Sequence, residues 1–142
     1  MARQVVTASG CECSSISLAG GFASATPAAW SLPSQVRRAG SVNEVLRSAQ
    51  FVSLHVPLVA ATRHLVNDAN IGLMKPGAVL LNFSREGVVS DSAVLESLAA
   101  GHLGQYVCDF PGAEIHGHPK IIALPHLGAS TREAQDKAGD TI

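Results

Sequence analysis

The chain has 142 residues, carries 10 lysines and arginines against 11 aspartates and glutamates for a formal net charge of -1, and is 46% apolar. That is enough chain for one globular domain with a core, and the interspersed charges leave no basic field of the kind that non-specific nucleic-acid binding needs. No apolar run approaches the roughly eighteen residues that cross a bilayer, and MARQVVTASG has no long apolar core behind its basic residue, so neither membrane insertion nor export is expected. Cys11, Cys13 and Cys108 are too few, and odd in number, for a disulfide framework; a reducing cytoplasm fits them best. The Cys11-x-Cys13 pair lacks the second cluster of a tetrahedral soft-metal site, so no metal is expected.

In chain order, residues 1–34 are rich in Ala, Ser and Gly, nearly uncharged and without sustained period, which reads as an irregular leader with a candidate strand at 4–8. Pro27 and Pro33 break whatever follows it. From there to residue 142 the pattern sharpens into a single domain. Ser41 caps a short helix over 41–49, with Glu44 in its first turn and Val42, Val45 and Leu46 on one face. FVSLHVPL gives a buried strand over 51–55, closed by Pro57, whose missing N–H excludes it from a central ladder. Asn67 or Asp68 starts a second helix ending near Lys75, and Pro76-Gly77 stops it.

A strand over 78–83 follows at once, then the strongest helix, 90–101, with Val94, Leu95 and Leu98 as its apolar stripe and Gly101 in the stop position. A strand over 105–110, a Gly- and Pro-containing loop over 111–120, a strand over 121–124 and a helix opening at Thr131 complete the order. The apolar runs are too continuous for a sheet with one wet face. Alternation from residue 41 onward therefore predicts an α/β fold, parallel strands covered on both sides with right-handed crossovers.

Ligands of such sheets sit beyond the carboxyl ends of the strands. Those ends are 55–57, Ser84 with Arg85, 109–114, and 125–129. Arg85 stands past LLNF, where its planar fork suits a carboxylate; taken alone it reads more readily as half of a surface ion pair with Glu86. His126 lies between Pro125 and a Gly128-Ala129-Ser130-Thr131 turn, which holds an imidazole at a strand end near free backbone N–H groups. A carboxylate such as Glu114 beside it would favour the imidazolium, the tuning an acid or base needs near neutral pH. Asp109 either faces solvent or meets a ligand with donors, because burial unpaired is costly. Asn82, Asp91, His116 and His118 read as cap or loop residues.

The stretches SVNEVLRSAQFVSLHVPL, LMKPGAVLLNFSREGVVSDSAVLESLAAGHL and VCDFPGAEIHGHPKIIALPHLGAST together resemble the D-isomer-specific 2-hydroxyacid dehydrogenases. CDFPGAE and PHLGAST look most like the D-3-phosphoglycerate dehydrogenase branch. The resemblance covers about residues 28–142. It implies a partial Rossmann-like doubly wound parallel sheet over 35–142, with the first βαβ unit largely missing. It implies NAD as cofactor, and oxidation of a small 2-hydroxy acid or reduction of its 2-oxo form, here 3-phosphoglycerate in serine biosynthesis.

Carried over by residue, Arg85 orients the substrate carboxylate and carbonyl, Glu114 pairs with the catalytic histidine, and His126 moves the hydroxyl proton. Asp109 bonds the nicotinamide carboxamide, while Val56, Pro57, Phe83, Ser84, Gly128 and Ala129 line the cofactor. A homodimer through the nucleotide-binding domain is also implied. The family's G-x-G-x-x-G turn should precede this region, yet the glycines before residue 40 are Gly10, Gly20 and Gly21, and no spacing among them fits. The expectation is therefore the later part of such a domain behind an unrelated leader. Two alternatives stay open: a non-catalytic remnant or pairing module of the fold, and part of a glyoxylate or hydroxypyruvate reductase.

Overall fold

Capped helices alternating with apolar runs assemble, in the computed structural model, into one mixed sheet; residues 5–9, 14–16 and 37–126 are described. The strands are β1 (Val5–Ser9), β2 (Ser14–Ile16), β3 (Arg37–Arg38), β4 (Phe51–His55), β5 (Val79–Asn82), β6 (Gln105–Cys108) and β7 (Ile121–Ala123), in the spatial order β3-β2-β1-β4-β5-β6-β7. From β4 to β7 every pairing is parallel, as the alternation predicts. The register aligns Leu54 with Asn82, Asn82 with Cys108, and Cys108 with Ala123, so the four carboxyl ends share one edge. β1 departs from this pattern by running antiparallel to β4 and to β2. Only residues 10–13 separate β1 from β2, far fewer than the dozen or so that a parallel crossover requires.

Helix α1 (Val42–Ser48) starts where the capping residues demand. Ser41 is extended and its hydroxyl accepts from the Glu44 N–H at 3.2 Å, while the Glu44 carboxylate reaches back to the Gly40 N–H at 2.7 Å. Two otherwise orphaned donors are satisfied reciprocally. Helix α2 (Asp91–Ala99) buries Ala93, Val94, Ser97 and Leu98 and stops at Gly101, whose φ of +71° a residue with a Cβ adopts only under strain. Ser90 precedes it without capping a backbone N–H, because its hydroxyl meets that of Ser92 at 2.9 Å.

The helix expected from 67 or 68 to 75 does not form; a single 3-10 turn, Ile71–Leu73, stands in its place. Its two asparagines bond the local backbone instead. Asn70 Oδ1 accepts from the Asn67 N–H, Asn70 Nδ2 donates to the Leu65 carbonyl, and Asn67 Oδ1 accepts from the Ala69 N–H. Such short polar side chains offer the backbone an alternative to helix, and Gly72 adds nothing to oppose it. Strands expected over 78–83, 105–110 and 121–124 end earlier than their apolar runs, at Asn82, Cys108 and Ala123. The helix expected from Thr131 lies outside the described residues.

Val52, Leu54 and Leu80 from the strands join Val45 and Leu46 of α1 and Ala93, Val94 and Leu98 of α2 in one buried cluster. Burial of a Leu or Val side chain contributes about 1.5–3 kcal/mol, so this cluster is what holds the strand ends in line. Alternate positions on the other face, Ser53, Val79 and Leu81, are half-buried, and Phe51 is exposed. That face is more open than the continuous apolar runs predict.

Candidate active site

Beneath the common strand edge lies a buried polar knot. Asn82, the last residue of β5, is 3% exposed, and its side-chain oxygen accepts from the Ser84 N–H at 3.1 Å. Its Nδ2 donates to the Arg85 carbonyl at 3.1 Å and to the Tyr106 hydroxyl on β6 at 3.3 Å. Ser84 in turn accepts the Val56 N–H on its hydroxyl at 2.9 Å. The β4, β5 and β6 ends are thus tied by side chains where the ladder stops. Asn82, expected as a cap or loop residue, is the centre of this knot: a buried amide keeps its place only when its bonds are made. Burial pushes the Tyr106 phenol well above its ordinary range, and the Cys108 thiol beside it is pushed up to about 11 chiefly by burial, with Asp91 and Asp109 adding to it.

The rim above carries the charged groups. Arg85 is exposed; it makes no ion pair with Glu86 among the described residues, but donates from Nη1 to the Ser84 carbonyl at 2.7 Å and lies with Cζ 5.2 Å from the centre of the Phe110 ring. The same ring meets the His126 imidazole at 4.1 Å between centroids, tilted by 32°. One aromatic residue therefore carries a guanidinium and an imidazole at once, the first attracted by its π-face. His126 Nδ1 is 2.6 Å from Asp109 Oδ2, and the other oxygen, Oδ1, is buried without a partner among the described residues. Arg85, Asp109 and His126 are brought together.

Glu114 is placed elsewhere. It is exposed on the 113–117 turn, and its charge acts on Asp91 at the start of α2. Asp91 is raised from the ordinary carboxylate value, first by burial and then by Glu86 and Glu114, with His64 opposing. A Cβ on Gly112 would overlap the Asp91 carboxylate, so glycine is what lets this loop seat on the helix start. The carboxylate touching His126 is accordingly that of Asp109 where the resemblance implies Glu114. Val56 is buried, Pro57 is exposed and takes the Thr62 hydroxyl on its carbonyl, and the half-buried Phe83 ring stands 6.0 Å from that of His55. Gly128 and Ala129 lie outside the described residues, as do Cys11 and Cys13. Among the described residues no group of three or more His, Cys, Asp or Glu side chains could hold a metal ion, and no helix is long and apolar enough to cross a membrane.

Phe110 is the rim residue that sequence reasoning missed. It reads as the apolar end of a strand, and its signal is slight: a single aromatic directly after an acid at a carboxyl end.

A parallel α/β sheet whose carboxyl ends carry such a cluster has the architecture of nucleotide-binding domains, which bind ligands at that edge. The chain belongs to the D-isomer specific 2-hydroxyacid dehydrogenase, NAD binding domain, family, whose model matches residues 23–128. The match begins inside the segment expected as leader. NAD is the cofactor of this family. The chain is 41% identical over 98 residues to a D-3-phosphoglycerate dehydrogenase of Bacillus subtilis, covering 65% of this chain and 19% of that protein. It is 37% identical over 123 residues to an (S)-sulfolactate dehydrogenase of Chromohalobacter salexigens, covering 82% and 39%. The holo structure of Rhodotorula graminis D-mandelate dehydrogenase superposes with a TM-score of 0.68 at 26% identity, covering 74% of this chain and 32% of that one. The chain thus spans about a fifth to two fifths of the length of these relatives.

Proposed function

We propose that the chain forms the cofactor-facing and proton-transferring part of an NAD-dependent dehydrogenase of D-2-hydroxy acids, with 3-phosphoglycerate, and so serine biosynthesis, as the first substrate to test. The observation that carries this reading is the Phe110 ring, which bears the Arg85 guanidinium on one contact and the His126 imidazole on another. A carboxylate-binding fork and a proton carrier within one ring's reach are the two groups that a 2-hydroxy acid demands. The D-3-phosphoglycerate dehydrogenase of Bacillus subtilis supports that substrate; the sulfolactate and mandelate enzymes share the domain, which argues that side-chain selectivity is set outside it.

The roles follow from the chemistry of each group. Arg85 binds the substrate carboxylate and carbonyl oxygen. His126 takes the hydroxyl proton in oxidation and returns it in reduction. Asp109 offers Oδ1, a buried acceptor without a donor among the described residues, to the nicotinamide carboxamide, and Val56, Pro57, Phe83, Ser84, Gly128 and Ala129 line the cofactor. Bound NAD would supply the hydride acceptor, and the protein orientation and proton transfer. Glu114, which the resemblance pairs with the histidine, acts instead on Asp91 at the start of α2. Self-association through this domain belongs to the same proposal, supported by exposed Ile122 and Leu124 at and beyond the β7 edge, as does a reducing cytoplasmic setting, supported by the free Cys108 thiol.

A second reading, a module that binds the nicotinamide half without turnover, is favoured by exposure: the His126 side chain is 38% accessible and Arg85 is exposed, whereas such chemistry gains from excluding water. Titrating NADH fluorescence with the purified chain, then assaying a panel of 2-hydroxy acids with NAD, separates the readings. Binding with turnover of 3-phosphoglycerate above the other acids supports the first; binding without any turnover supports the second. No binding at millimolar NADH would remove both.

A further inference from the structure

The strand order reverses at one place in the sheet, and the two sides of that place are unlike. From β4 outward the numbers rise, β4-β5-β6-β7, and from β1 outward they rise the other way, β1-β2-β3, so the point at which an open α/β sheet takes a nucleotide lies between β1 and β4. We infer that this chain holds only the nicotinamide nucleotide end of its cofactor, because the antiparallel β1 leaves the adenosine diphosphate end without a phosphate cradle beside β4. The inference rests on the proposed function, both readings of which bring nicotinamide to the rim.

Three observations carry it. Arg85, Phe110 and His126 follow β5, β6 and β7, so the whole rim cluster stands on one side of the reversal. On the other side, β1 runs in the direction that phosphate cannot use. The pyrophosphate of a dinucleotide is held where a parallel strand leaves the sheet at the ligand edge, turns tightly and enters a helix whose first N–H groups meet the anion. β1 pairs Val5 with His55 and Ser9 with Phe51, which puts its amino end at the ligand edge and its exit at the opposite one. Residues 10–13, which follow it, join it to β2 and are too few to hold a helix between them. β2 does end at the ligand edge, but one strand farther from β4.

The third observation is the charge at the helix starts. β3 has the same direction as β4, by way of β2 and β1, so α1 opens at the ligand edge. Its first turn carries Glu44, whose carboxylate takes the Gly40 N–H at 2.7 Å, while Ser41 Oγ takes the Glu44 N–H at 3.2 Å. α2 opens with Asp91, on which the charges of Glu86 and Glu114 already act. An acid in the first turn offsets the positive end of the helix dipole and repels a further anion. Both α-helices among the described residues therefore present a carboxylate where a pyrophosphate would need free donors.

The test is fluorescence titration of the full chain with NADH and, separately, with reduced nicotinamide mononucleotide, which carries the same dihydronicotinamide fluorophore, followed by competition with ADP-ribose. The two dissociation constants should agree within about threefold, whereas a cradle of even two charge-assisted bonds would favour NADH by about a hundredfold or more. ADP-ribose in large excess should leave bound NADH in place. A larger preference for NADH, or its displacement by ADP-ribose, overturns the inference, puts a phosphate site elsewhere on the edge and leaves the cofactor reading standing. If neither nucleotide binds at millimolar concentration, the cofactor reading falls and this inference with it.

Discussion

The knot around Asn82 and the rim around Phe110 share the ends of β5 and β6, yet they are held by opposite means. In the knot, a buried amide spends its donors and acceptor on Ser84, Arg85 and Tyr106, and Ser84 passes the connection to Val56. On the rim, Arg85 and His126 rest against one aromatic ring, His126 also against the Asp109 carboxylate, and both side chains meet water. The difference teaches that the strand ends are positioned from below. The exposed rim groups contribute little to holding the fold, whereas the buried Asn82 amide has its donors and its acceptor occupied.

The largest expected effect removes what underlies both regions. Leu80→Ala deletes a fully buried side chain of β5 between the two helices' cluster and the knot, and should destabilise by about 2–5 kcal/mol in chemical denaturation. Knot and rim should be lost together; survival of NADH binding in a chain so weakened would break the claim that the rim depends on the sheet below.

Next comes the knot itself. Asn82→Ala leaves the Ser84 N–H, the Arg85 carbonyl and the Tyr106 hydroxyl without their partner, and each buried group so orphaned costs about 1–3 kcal/mol where water cannot replace the bond. A loss below that range in urea titration would place water in the knot and blur its contrast with the rim.

A smaller effect concerns charge within the same layer. The Cys108 thiol has its pKa pushed up to about 11 from an ordinary 9.0 by burial. Below pH 9.0 both folded and unfolded chains hold the proton and stability is flat; between 9.0 and about 11 the unfolded chain releases it first, so stability falls as pH rises. Cys108→Ala should lack that component, and the difference between the two proteins' denaturation midpoints below and above pH 9.0 measures it. The native thiol should also resist alkylation at neutral pH, since the thiolate is the nucleophile.

How much of this was legible follows from which interactions are local. Ser41 and Glu44 predict α1 because a cap is decided within four residues, and the bounds Phe51–His55 follow from the strand's own apolar run, although only Val52 and Leu54 of it are buried. The 67–75 helix fails for an equally local reason that pattern reading underweights, two asparagines competing for backbone. Asn82 and Phe110 escape because their meaning is non-local: the amide's partner Tyr106 lies 24 residues away, and the phenylalanine matters only once the 111–120 loop has returned the chain to His126. The direction of β1 is likewise set by pairing across the sheet. The convergence of Arg85 and His126 was foreseeable from the rule that strand ends share an edge; which acid meets the imidazole was not, because Asp109 and Glu114 are separated by a loop whose path no periodicity fixes.

The smallest expected effect is the sharpest test of the contrast. Arg85→Ala removes an exposed side chain whose contacts among the described residues are its neighbour's carbonyl and the Phe110 ring, and stability should change by no more than about 0.5 kcal/mol, as for surface positions generally. The Asn82 bond to the residue 85 carbonyl is made by the backbone and persists, so the knot is untouched. Phe110 keeps its contact with His126, and the imidazole NMR signals should hold their positions. Binding of a 2-oxo acid such as hydroxypyruvate, followed by those signals, should weaken, because the fork that meets the carboxylate is gone. Arg85→Lys restores the charge but not the paired geometry and should recover only part of that binding. A loss of stability as large as that of Asn82→Ala would mean that the guanidinium is a structural strut, and the division between a self-satisfied base and a ligand-facing edge would have to be redrawn.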